Sequence, residues 1–141
     1  MTSEVIDLYN PDVTCKSWPD HPLGTFGAVG GLIDDQLIIC GGFAYYAITR
    51  KCYAMTPIST YNASKLDNAT YQSAGVVLNQ DTLLVSGGYD SYLHIFDRIE
   101  YISEVENGHD PDSLPVGLYG HCLIRITNET LLLTGGKNAT M

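Results

Sequence analysis

Gln36-Leu37-Ile38-Ile39-Cys40-Gly41-Gly42 returns as Thr82-Leu83-Leu84-Val85-Ser86-Gly87-Gly88, and again as Thr130-Leu131-Leu132-Leu133-Thr134-Gly135-Gly136. The glycine pairs recur after 46 and then 48 residues, with no gap inside any copy. Self-similarity at such a period marks a repeat architecture and takes precedence over reading single elements. The register extends upstream. Asp35, Asp81 and Glu129 immediately precede the three copies, Leu32, Leu78 and Ile126 share a column, and so do Ala28, Ala74 and Cys122.

One unit reads as a strand over 28–33, a tight turn at Asp34-Asp35 and a second strand from Leu37 to Cys40. Short apolar runs bounded by turn residues are the pattern of strands buried on both faces. A glycine pair at the strand end allows backbone conformations closed to other residues, or close approach of another segment. Weaker strands follow at Val5-Ile6-Asp7-Leu8-Tyr9, Cys52-Tyr53-Ala54-Met55 and Ile99-Glu100-Tyr101-Ile102. Segments near Trp18, Ser64-Lys65-Leu66 and Ser113-Leu114 each offer a fourth strand.

Four strands in about 45 residues is the period of a propeller blade. With Gly41-Gly42, Gly87-Gly88 and Gly135-Gly136 closing apolar strands, the chain resembles the kelch repeat family. Tyr9, followed nine residues later by Trp18, resembles that family's outer-strand pattern, whereas the second and third units lack the tryptophan. The resemblance implies an all-β fold, a kelch-type β-propeller segment of two full blades and two half-blades. Outer strands of a preceding blade would occupy 1–23, blades 24–70 and 71–117, and inner strands of a third blade 118–141. Closure within the chain gives too few blades for a ring, since closed propellers use about 4–8. The expectation is a segment of a longer protein, or copies that associate to complete the ring.

The 141 residues include seven Lys+Arg against sixteen Asp+Glu, a net charge of −9 that disfavours phosphate backbones and anionic membrane surfaces and favours basic partners. Apolar runs such as Leu131-Leu132-Leu133 are far shorter than the ~20 residues of a membrane helix. Four of the seven asparagines, Asn62, Asn68, Asn128 and Asn138, begin Asn-x-Ser/Thr, where composition predicts about one, and all four read as loop or turn. They point to a glycosylated secreted protein or ectodomain. Four cysteines allow two disulfides, one or none; Cys40 ends one strand and Cys52 begins the next, which makes them the candidate pair across a hairpin provided their Cα atoms lie within about 7 Å. Cys15 falls in an outer-strand region, and Cys122, in the column of Ala28 and Ala74, reads as a small buried residue.

The chemistry-bearing residues are scattered. His21 and His109 sit in turn-rich stretches, His94 follows a glycine pair, and His121 reads as a core residue. Cysteines and histidines lack zinc spacing, and no phosphate loop or nucleophile elbow occurs. Kelch-like propellers resemble the central domain of galactose oxidase, whose copper radical site uses Tyr, His and Cys. Ten tyrosines and four cysteines supply the residue types without a matching motif. The expectation is therefore a chain with no catalytic or metal residues and no cofactor. Its loops after the glycine pairs, carrying Phe43, Tyr45, Tyr46, Tyr89 and Tyr92, would contact another protein. Asn138 would lie in the third such loop, where a glycan would shield part of that face. The family analogy also admits an intracellular adaptor that recognises ubiquitin-ligase substrates or actin.

Overall fold

The computed structural model describes residues 3–10, 16–103, 107–109 and 113–139. Cys15 and the Asp110-Pro111 part of the His109 turn lie outside them. The described residues form β-strands and loops, with no helix among them. Strands β1 (Ser3–Val5) and β2 (Lys16–Trp18) make a ribbon. Strands β3 (Thr25–Phe26), β4 (Val29–Ile33), β5 (Gln36–Cys40), β6 (Phe43–Ala44), β7 (Ala47–Ile48), β8 (Lys51–Met55) and β9 (Thr60–Lys65) make two sheets. One is a four-stranded antiparallel meander, β4-β5-β8-β9, and the other a small ladder, β3-β6-β7. Strands β10 (Ala74–Leu78), β11 (Thr82–Ser86), β12 (Ile99–Ser103) and β13 (Gly108–His109) form a second meander, and β14 (Tyr119–Arg125) pairs with β15 (Leu131–Lys137).

The repeated segment is the second strand of each unit, and its backbone environment repeats with it. Gly41 N–H donates to Lys51 O and Gly87 N–H to Arg98 O; Gly42 N–H donates to Thr70 O and Gly88 N–H to Leu118 O. All six glycines of the pairs have φ between 61 and 90, the left-handed region that side chains oppose. The two meanders pack through their first strands. A Cβ at Gly31 would lie 2.3 Å from Val77 Cγ2, and one at Gly75 would lie 2.1 Å from Val29 Cγ2. Only glycine allows that approach. The core between them is Val29, Ile33, Ile38, Cys40, Cys52, Ala54, Leu66, Leu83, Val85 and Ile102.

Several expectations need correction. The hairpins that open the three units have connections of two, three and five residues, closed by Ile33↔Gln36, Leu78↔Thr82 and Arg125↔Leu131. Asp34 and Asp35 take φ of 45 and 63, the two left-handed positions of a tight hairpin turn. The shorter connection slips the first unit by one residue, so Val29, and not Ala28, occupies the place of Ala74 opposite the last residue before the glycines. Strand β1 ends at Val5, because the Asp7 carboxylate accepts the N–H groups of Tyr9 and Asn10 and folds 7–10 into a turn.

Ser113-Leu114 is not a strand; the fourth strand is Gly108–His109, which had read as turn and pairs with Glu100 and Tyr101. Leu114 is a buried loop residue, its N–H bonded to Asp97 O as that of Leu66 is bonded to Arg50 O. Trp18, Leu66 and Leu114 follow one another at 48-residue intervals, so the tryptophan column continues as leucine. That spacing was legible in the sequence. His21 is not a solvated turn residue; its ring packs edge-on to Tyr53 at 5.1 Å, and Leu23 N–H donates to its Nδ1.

Cys122 is exposed and not buried. Successive residues of a strand face opposite ways: His121 turns inward against the second meander, which turns Cys122 outward with Ile124 and Leu132.

Candidate functional site

Each unit opens with an aromatic residue, Phe26, Tyr71 or Tyr119, and the first two glycine pairs are followed by Phe43 and Tyr89. The backbone brings these columns together. Phe26 pairs with Phe43 and Phe43 with Ile48; Tyr71 bridges Tyr89 and Tyr89 bridges Ile95. The third ladder pairs Tyr119 with Lys137. A further series ties the ladders side by side: Gln72 N–H donates to Gly27 O and Gly120 N–H to Gln72 O, all three residues at positive φ.

The rings consequently run as a belt across the glycine-pair end of the sheets. Phe26 meets Phe43 at 5.3 Å and Tyr71 at 5.4 Å, Tyr71 meets Tyr89 at 5.2 Å, and Tyr89 meets Tyr119 at 5.0 Å. The Phe26–Tyr71–Tyr89–Tyr119 contacts are edge-to-face, the arrangement that opposes a ring's positive edge to its neighbour's negative face. Burial, with the Tyr71 and Tyr119 phenols alongside, pushes the Tyr89 hydroxyl above the ordinary tyrosine pKa.

Two depressions lie along the belt. One of about 490 Å³, between the first and second ladders, is walled by Phe26, Phe43, Tyr71 and Tyr89, with Tyr46 and Asp90 at its rim. The other, about 320 Å³, lies between the second and third ladders and involves Tyr119, Asn138 and Ala139. Tyr89 and Leu93 line both, so the two adjoin across these side chains as an interrupted aromatic trough.

The five aromatic residues singled out from the sequence divide in two. Phe43 and Tyr89 are half-buried in the belt, whereas Tyr45, Tyr46 and Tyr92 stand out from it at 72%, 96% and 82% exposure. Tyr45 and Tyr46 form the tip between β6 and β7, and Tyr45 has φ 55. That first turn position normally carries glycine in a type II′ hairpin, so a bulky residue there holds backbone strain. In the second loop Asp90 Oδ1 accepts the N–H groups of Tyr92 and His94, and Oδ2 meets His94 Nδ1 at 3.1 Å. Burial works to raise the Asp90 pKa, but these hydrogen bonds outweigh it and hold the carboxyl below its ordinary value. Sequence reading missed Phe26, Tyr71 and Tyr119. Their position just ahead of each first strand was the available signal.

The remaining sites are dispersed. Cys40 and Cys52 form a disulfide between paired positions of β5 and β8, with Cα atoms 4.0 Å apart. Asn62 is not in a loop but in the outer strand β9, where its sequon spans a bulge: Lys51 pairs with Lys65 and Tyr53 with Asn62. A polar outer strand and a loop look alike in sequence. Asn68 lies at the glycine-pair end, Asn128 in the opposite 126–130 turn beside Arg125, and Asn138 at the end of the trough.

His121 Nε2 lies 2.8 Å from Ser86 Oγ, the spacing of a nucleophile and its base. Both residues are buried, at 5% and 1% exposure, so this pair fastens β14 to β11 and offers nothing to a substrate. Among the described residues no group of three His, Cys, Asp or Glu side chains converges as a metal site would require. Compared with known proteins, the chain matches no family model and no curated sequence.

Proposed function

We propose that this chain is a kelch-type propeller segment that acts as a non-catalytic protein-binding module of a secreted or extracellular protein. The observation that carries the reading is the aromatic trough with three exposed tyrosines beside it, on the end where the glycine-pair loops emerge. Tyrosines on short, hydrogen-bonded loops offer large contact area with little entropy to lose. The propeller arrangement is supported by two antiparallel meanders with repeated glycine-pair hydrogen bonds, packed through their first strands. Apolar residues left open on the end sheets, Leu32 on one and Ile124 and Leu132 on the other, support further sheets supplied by the same protein or by copies of it. The disulfide and four sequons support an oxidising compartment.

The test places a photo-crosslinking amino acid at Tyr46 or Tyr92, and, on the opposite end of the sheets, at Asp35. Partner adducts are expected from the first two positions. Adducts only from Asp35, or equally from all three, would overturn the proposed face. Glycan-dependent mass of the native protein in the medium tests the compartment; an unglycosylated protein confined to cells would overturn it and favour the adaptor reading.

A further inference from the structure

The larger depression combines two features that favour different ligands when taken singly. Its walls are aromatic: Phe26, Phe43, Tyr71 and Tyr89, with Tyr46 and Ile48 at the edge. Its charged lining residue is Asp90, with no Lys or Arg among the described residues around it. An apolar cover over the rings would also strip water from a carboxylate that the Tyr92 and His94 N–H groups keep ionised, and an uncompensated buried charge is costly. A ligand that matches both features has to be cationic and flat.

We propose that this depression holds an arginine side chain from an extended segment of the partner protein, its guanidinium laid against the Phe43, Tyr71 and Tyr89 rings with Asp90 as counter-charge. Arginine fits better than lysine because its planar, weakly hydrated cation stacks on aromatic faces and offers a fork of donors to a carboxylate. Asp90 is able to receive it: its Oδ2 is engaged by His94 Nδ1, on a side chain 73% exposed, a contact that a guanidinium would replace. The net charge of −9 adds long-range attraction for a basic segment. The adjoining depression on the far side of Tyr89 and Leu93, lined by Tyr119, offers the flanking residues of that segment a place to rest. The inference rests on the binding face proposed above and names what that face recognises.

The experiment titrates the isotopically labelled 141-residue chain with the peptide Gly-Ser-Arg-Ser-Gly and follows backbone amide shifts. Matched peptides carry citrulline, which keeps the shape of arginine without its charge, or lysine. Saturable shifts are expected at Tyr71, Tyr89, Asp90 and Leu93 with the arginine peptide, at least about fivefold weaker with citrulline and with lysine. Asp90→Asn is expected to weaken binding by a similar factor; its amide oxygen still accepts the Tyr92 and His94 N–H groups, so the loop keeps its shape, which the unliganded spectrum checks. No shift at these residues, equal response to citrulline or lysine, or unchanged binding by Asp90→Asn would overturn the proposal. If crosslinking at Tyr46 and Tyr92 succeeds while the arginine peptide fails, the binding face stands and this occupant falls. If the peptide binds here but crosslinks arise only at Asp35, the depression takes arginine but not the partner's, and the proposal falls with the partner-binding face.

Discussion

Gly87 and Gly135 occupy the same place in the repeat and hold the same left-handed conformation, φ 61 and 72. Their surroundings differ completely. A Cβ on Gly87 would lie 2.3 Å from Leu118 O and 2.8 Å from His121 Cε1, whereas one on Gly135 would touch nothing within 4 Å among the described residues. The residue before each pair follows the same rule. Cys40 is joined to Cys52, Ser86 meets His121, and Thr134 faces outward beside Cys122. Local sequence sets the backbone, and position among the sheets decides what each side chain means.

The sharpest test of this contrast pairs two alanines. Gly135→Ala meets only the left-handed backbone penalty, about 1–2 kcal/mol. Gly87→Ala adds a clash with a backbone carbonyl that cannot step aside and is expected to lose about 3 kcal/mol or more. Equal midpoints in denaturant would break the comparison. Next in size is the disulfide, unique to the first unit among the described residues. Replacing Cys40 and Cys52 together by serine should destabilise the chain by about 2–4 kcal/mol, read as a lower melting temperature. Cys122→Ser, on an exposed residue, should leave that temperature nearly unchanged.

The second unit's Ser86–His121 pair should respond to pH. Burial holds the His121 imidazole below its ordinary pKa. The unfolded chain therefore binds that proton more readily than the folded one. Stability is full above the ordinary histidine pKa of about 6.5 and falls as pH drops through it. Denaturation between pH 8 and pH 5 should show this slope, reduced in His121→Gln. Ser86→Ala, which leaves the Nε2 atom without its partner, should cost about 1–3 kcal/mol at pH 8. The smallest effect concerns Tyr45. Tyr45→Gly relieves the positive φ at an exposed tip and should stabilise by about 0.5–1 kcal/mol, while weakening partner crosslinking at Tyr46. A loss of stability would show that the Tyr45 ring packs in a way its 72% exposure does not reveal.

Strands β5, β11 and β15 were legible because their apolar runs lead into glycine pairs, and β8 and β12 as the apolar runs that follow the loops after those pairs. The first strands of the first two units were legible to within a residue, whereas that of the third begins at Tyr119, three residues ahead of its column at Cys122; an ungapped alignment cannot register connections of two, three and five residues. Polar outer strands were the least legible. Of Thr60–Lys65 only the end, Ser64-Lys65, reads as a fourth strand while the Asn62 sequon reads as loop, and Gly108–His109 reads as turn, because an outer strand buries too little to leave an apolar pattern. At the candidate site the exposed tyrosines were visible as loop aromatics. The belt rings Phe26, exposed, and Tyr71 and Tyr119, half-buried, were not, since each is a single aromatic residue outside any periodic run.

By itself the sequence determined the repeat, the strands that carry it and the left-handed glycine turns, because these depend on residues adjacent along the chain. It also placed Cys40 and Cys52 on facing strands. Only the tertiary structure decided that Ser86 meets His121, that Cys122 faces outward, and that five rings from three units form one belt, with a carboxylate at the rim of one of its depressions. Those outcomes depend on how whole sheets stack, and residues some 45 positions apart become neighbours only when glycines let the first strands of two units touch.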